Sequence, residues 1–166
     1  SFKRSSFSTD YGRTRAGGEK RRTTKSSLST KRQLGITIEN KQVLIVNTNG
    51  GGHANIGFWL SKTLAEKKHD VTLCVVGEEG DKKMQKKPFT LFETELKPIG
   101  VKTVWANPDE VAMKLKGMKF DIVCDNNGKD LESVGPVAAF AKESGAEQFF
   151  FVSSAGIYKS TPTPQH

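Results

Sequence analysis

Five short apolar runs punctuate the chain, each bounded by polar or glycine-rich residues: Val43–Val46, Val71–Val76, Val101–Trp105, Phe120–Cys124 and Gln148–Val152. They are rich in β-branched and aromatic residues, which predicts strands. Between the first two lies a segment from Phe58 to Lys67. There Ile56, Leu60, Thr63 and Leu64 recur at helical spacing and predict one buried helix face. A second helix is expected to open at Asn107-Pro108-Asp109-Glu110, with Asn107 as N-cap, and to run through Val111, Met113 and Leu115 towards Gly117. A third is expected over Pro136–Lys142, stopped by Gly145. Strands alternating with helices predict an α/β fold: a doubly wound, parallel, Rossmann-like sheet of about five strands in the order 3-2-1-4-5.

The first strand runs into Asn47-Thr48-Asn49-Gly50-Gly51-Gly52-His53-Ala54-Asn55-Ile56-Gly57. Strand, glycine turn and helix form the opening unit of a dinucleotide-binding βαβ fold, where backbone N–H groups approach a pyrophosphate at the helix N-terminus. Gly50, Gly51, Gly52 and Gly57 are the candidate phosphate-binding glycines. Gly52 and Gly57 are five apart rather than three, so the loop is expected to be longer than the usual cradle. A glycine-rich connector that binds nothing is the competing reading. The second strand ends at Val76–Gly77 without the acid that holds ribose hydroxyls in such folds, and Glu78 and Glu79 follow as candidate substitutes.

Charge divides the chain in two. The formal net charge is +8, of which residues 1–40 carry +7, with ten Lys/Arg against three Asp/Glu. All six arginines lie in the first 32 residues. The segment 1–40 is therefore a basic Ser/Thr/Arg-rich tail that cannot bury enough apolar surface to order alone. It reads as a transit-peptide remnant or as an arm for RNA or a large acidic assembly. The domain over 41–166 is nearly neutral. Within it, Lys82, Lys83, Lys86 and Lys87 are candidate RNA-phosphate contacts, with Phe89 or Phe92 as a stacking surface. Asp125, Asp130 and Glu132 are candidate ligands for a divalent cation such as Mg. The loop residue His53 is a candidate general base. Cys74 and Cys124 read as buried, reduced small hydrophobes. No apolar run approaches membrane-spanning length, so membrane insertion is not expected.

Four segments coincide with one family. Val-Asn-Thr-Asn-x-Gly-Gly-His-Ala over 46–54, Lys-Thr-Val-Trp over 102–105, Asp-Asn-Asn-Gly-Lys-Asp over 125–130 and Ser-Ser-Ala-Gly-Ile-Tyr-Lys-Ser over 153–160 resemble the chloroplast stem-loop RNA-binding proteins. These are atypical extended short-chain dehydrogenase relatives, described also as endoribonucleases associated with plastid ribosomes and transcription complexes. The resemblance covers about 41–166, the amino-terminal part of such a protein. It implies a plastid stromal location, RNA as partner and endonucleolytic cleavage, for which the carboxylates Asp125 and Asp130, read from the sequence, are the candidate catalytic and metal-binding residues. It also implies NADP as a cofactor. Ser154 matches the hydroxyl that bonds a substrate carbonyl. The family's Tyr-x-x-x-Lys pair is not supplied, since Tyr158 and Lys159 are adjacent, and hydride transfer then lacks its base. Dehydrogenase activity is therefore not expected. Two alternatives stay open: a non-catalytic subunit docked on a ribosome, polymerase or photosynthetic complex, and an NADP(H) sensor. The apolar strand at 148–153 is expected to need a cover, from a partner or from a further carboxyl-terminal half.

Overall fold

A computed structural model describes residues 39–153, all within the compact unit Thr37–His166. Residues 1–38 of the basic tail, and Ser154, lie outside the described residues. Five strands form one parallel sheet: β1 Gln42–Asn47, β2 Asp70–Val75, β3 Lys102–Trp105, β4 Ile122–Asn126 and β5 Gln148–Phe151. Their spatial order is β3-β2-β1-β4-β5, as the alternation predicts. Val46 pairs with Cys74 of β2 on one side and with Asp125 of β4 on the other. The central strand is covered on both faces, which is why Val43–Val46 reads as continuous apolar sequence rather than alternation.

Two layers flank the sheet. On one face, α1 (Gly51–Glu66) and a series of short helical turns between Lys82 and Ile99 pack on Val43, Ile45, Leu73 and Val75. On the other, α2 (Val111–Lys114) and α3 (Leu131–Ser144) cover Leu44, Val46 and Val123. Phe58 is the largest fully buried side chain, stabilising the first layer by roughly 1.5–3 kcal/mol.

Several elements differ from the expectation, each for a local reason. Helix α1 begins at Gly51, inside the glycine cluster, rather than after it. Its buried face is Ala54, Gly57, Phe58, Ser61 and Ala65, and Ile56 is exposed. Small residues win that face because α1 lies close against β1. Helix α2 is a single turn, and Met113 points outward. Helix α3 starts before Pro136, because Asp130 accepts the Ser133 N–H at 2.9 Å and caps the helix there. Pro136 then removes one intrahelical N–H. Phe89 and Phe92 are buried core residues rather than an RNA-stacking surface. Phe92 stacks between Phe58 and Trp105, with ring centroids 6.1 and 6.0 Å away. At the sheet edge, Phe149, Phe150 and Phe151 of β5 are all exposed, on both faces of the strand.

Candidate functional site

A crevice of about 670 Å³ opens over the carboxyl ends of β1, β4 and β5. In an open parallel sheet, ligands bind where the strand order reverses, and here that point lies between β1 and β4. Asn49, Gly50, Gly51 and His53 form one wall; Asn127, Gly128 and Lys129 form another; Phe151 closes the far side.

The first wall is the start of α1. Gly50 is its extended N-cap and offers no side-chain cap, and the first turn holds no acid. By helical geometry, the first backbone N–H groups have no intrahelical acceptor, and the helix dipole adds positive potential there. Gly51 has φ +68°, a left-handed conformation that favours glycine. A Cβ on Gly50, Gly51 or Gly52 would meet no protein atom within 4 Å. At Gly51 the backbone conformation itself calls for glycine, whereas at Gly50 and Gly52 neither conformation nor packing does, and both leave room for an anion to approach the backbone.

Gly57 does what the third glycine of a dinucleotide fingerprint does, allowing close helix–strand packing. It sits in the second turn of α1, where a Cβ would run into the side chain of Asn47. It lets the helix lie against β1. With α1 starting at Gly51, small residues recur three apart at Gly51, Ala54 and Gly57. The helix therefore starts close to the strand, with no longer loop. That rhythm was readable in the sequence, had Ala54 been counted among the small residues.

Beneath the crevice lies a buried amide network. Asn126 donates to Asn47 Oδ1 at 2.7 Å and to the His53 carbonyl at 2.6 Å. Asn47 donates to the Ala54 carbonyl at 3.1 Å. His53 Nδ1 lies 3.4 Å from Asn126 Oδ1. These contacts tie the first turn of α1 to the ends of β1 and β4.

Asp125 and Asn126 stand on β4 itself rather than in the turn after it, and both are buried. Asp125 Oδ1 accepts the N–H groups of Asn127 and Gly128, each at 2.9 Å, and so shapes the second wall. Its Oδ2 is buried and has no hydrogen-bond partner. Burial raises its pKa above the usual carboxylate value, outweighing those two hydrogen bonds. Asp130 is the exposed cap of α3, and its pKa is lowered chiefly by the Ser133 hydroxyl and N–H. Glu132 lies in the first turn of α3. Among the described residues, no group of three His, Cys, Asp or Glu is arranged to hold a metal ion.

Lys82, Lys83, Lys86 and Lys87 are exposed on the turns after β2 and are not on the crevice wall. The lysine on that wall is Lys129, which the sequence had shown only as part of a motif. Glu78 is exposed and Glu79 lines a separate cavity of about 150 Å³. Asp81 comes close to the end of β2. Its Oδ2 and Asn49 Nδ2 stand 3.5 and 3.2 Å from where a Gly77 Cβ would lie. No helix among the described residues is long and apolar enough to cross a membrane.

No protein-family model matches the chain. It is similar to a solved short-chain dehydrogenase/reductase from Veillonella parvula, with TM-score 0.49 and 15% identity, over 72% of this chain and 50% of that one. It is 30% identical over 130 residues to the chloroplast stem-loop binding protein of 41 kDa b of Arabidopsis thaliana, a match that covers 76% of this chain. The chain spans about a third (32%) of the length of that relative. By that match the chain resembles the chloroplast stem-loop binding proteins, and the relative itself is a chloroplast protein.

Proposed function

We propose that this chain is the nucleotide-fold segment of a plastid protein that binds stem-loop RNA, and that it receives a phosphate in the crevice. The observation that carries this reading is that the N-terminal turn of α1, with its free amides, Lys129 and the aromatic residue Phe151 line one cavity. Amides and lysine suit a phosphate; an aromatic face suits a base. The relative's name and the net charge of +8 support the same partner. Lys82, Lys83, Lys86 and Lys87 provide a second, exposed set of phosphate contacts beside β2.

The test is binding of a labelled stem-loop RNA over a range of salt. Affinity falls steeply with salt, and each lost phosphate contact lowers the log–log slope by roughly 0.7–0.9. Lys129→Ala lowers it by one contact and Lys82→Ala with Lys83→Ala, Lys86→Ala and Lys87→Ala lowers it further. A salt-independent affinity overturns the proposal.

A second reading, NADP(H) binding, is favoured by the small-residue rhythm at Gly51, Ala54 and Gly57. There the α1 amides would take the pyrophosphate and Asn49 with Asp81 would face the adenosine ribose. Fluorescence titration with NADPH tests it; no signal change at millimolar cofactor removes it.

A further inference from the structure

We propose that His53 is the residue that distinguishes ribose from deoxyribose in this crevice, accepting a hydrogen bond from a 2′-hydroxyl at Nε2; the inference rests on the RNA reading above. It begins with two buried amides whose orientation is fixed. The carbonyls of His53 and Ala54 only accept hydrogen bonds. The Asn126 nitrogen must therefore face His53 O, and the Asn47 nitrogen must face Ala54 O. Asn126 Nδ2 also serves Asn47 Oδ1, so its own Oδ1 is left for the ring of His53. An amide oxygen can only accept. The proton of the neutral imidazole is therefore on Nδ1, and Nε2 carries the free lone pair.

His53 is also the third residue of α1 and lines the crevice. Its backbone N–H belongs to the group that would hold a phosphate, and its ring stands beside that phosphate. Among the described residues Nε2 has no hydrogen-bond partner. An acceptor held next to an anion site does not suit a second anion, since two acceptors face each other. It suits a hydroxyl donor attached to the same nucleotide. The ribose 2′-hydroxyl is the donor that RNA has and DNA lacks.

The experiment uses the full 166-residue chain and three labelled stem-loops of one sequence: RNA, DNA, and RNA with 2′-fluoro sugars, which lack the donor. The wild-type chain is expected to bind RNA about five- to tenfold more tightly than either analogue, the effect of one hydrogen bond. His53→Phe keeps a flat ring without nitrogens, and is expected to bind all three alike, at the affinity the wild type shows for the 2′-fluoro form. His53→Gln retains an acceptor and is expected to recover part of the preference. The 2′-fluoro comparison on the wild-type chain needs no variant, so it stands even if a substitution perturbs folding. Equal wild-type affinity for RNA and its 2′-fluoro form overturns the inference, as does a preference that survives His53→Phe. If Lys129→Ala weakens binding while the preference is absent, the crevice reading stands and the role of His53 falls. If Lys129→Ala changes nothing, the crevice reading falls, and this inference with it.

Discussion

Asn126 donates its side-chain N–H to Asn47 Oδ1 at 2.7 Å, across two neighbouring parallel strands and out of contact with water. Each amide also reaches a carbonyl in the first turn of α1. The pair thus closes the gap that every such sheet has where its strand order reverses. Buried polar groups of this kind are tolerated because each has a partner, and removing one strands the others. Asn126→Leu is expected to lower stability by about 1–3 kcal/mol in urea denaturation. Asn47→Leu should cost a similar amount, and the double variant clearly less than the sum of the two. Additive losses would show that the amides act independently.

Gly57 depends on the same pair. Alanine in a helix interior is ordinarily more stable than glycine by roughly 0.5–1 kcal/mol. At this position the added Cβ would collide with the Asn47 side chain. Gly57→Ala is expected to destabilise by about 1–3 kcal/mol through overpacking. In an Asn47→Ala background the same substitution should lose most of that penalty. The comparison of thermal midpoints across the four variants checks it. An unchanged penalty in the Asn47→Ala background would place the collision elsewhere.

The sheet was legible from periodicity because its strands are covered on both faces and so carry uninterrupted apolar runs. The strand order followed from the connections alone. The site was less legible. Asp125 and Asn126 are polar residues and looked like a turn, yet they occupy the end of β4. Their burial depends on contacts with Gly128 and with α1, far away in sequence. Helix α1 misled for the opposite reason. Its buried face is built from Ala54, Gly57 and Ser61, which carry little hydrophobic signal, while Ile56 and Trp59 face outward. Phe89 and Phe92 followed lysines in sequence and looked like a nucleic-acid surface, but the ring of Trp105 on β3 draws them into the core.

Asp125 and Asp130 should act on stability with opposite pH signs. Asp125 has a raised pKa in the folded state, chiefly from burial, so folding favours its protonated form. Its contribution is fully present below the unfolded value of about 4 and is lost as pH rises through the folded pKa. Asp130 has a lowered pKa, so its contribution is present above about pH 4 and is lost as pH falls through the folded value. Relative to the wild type, Asp125→Asn should therefore gain stability as pH rises from 4 towards 8. Asp130→Asn should lose its difference from the wild type as the solution is acidified. Urea midpoints at several pH values measure both, and parallel curves for either variant would contradict the assignment.

Burial pushes the thiol pKa of Cys74 up to about 12 and that of Cys124 up to about 11. Both are free and buried, on strands either side of β1. Very little of either is thiolate at pH 8, and the reagent has no path to it. Alkylation of the native chain should be slow and should follow the rate of opening, rising sharply in denaturant. Rapid labelling of either residue under native conditions would mean that its strand is exposed.

Gly128 joins the wall of the crevice to the edge strand. A Cβ there would collide with the Val134 side chain, and would lie 2.8 Å from Asp125 Oδ2 and 2.9 Å from the Phe151 ring. The Phe151 ring is about half exposed, at 45%, and has room to swing aside. Val134 is carried by α3 and Asp125 is locked by two backbone N–H groups, so neither yields easily. Gly128→Ala is expected to cost about 1–3 kcal/mol. It should also displace the 127–129 backbone and with it Lys129, so RNA affinity should fall together with stability. Adding Val134→Ala removes the nearest obstacle while leaving every crevice residue in place, and should restore part of both, the Asp125 contact remaining. If stability recovers and RNA affinity does not, the 127–129 segment does not position the phosphate contact.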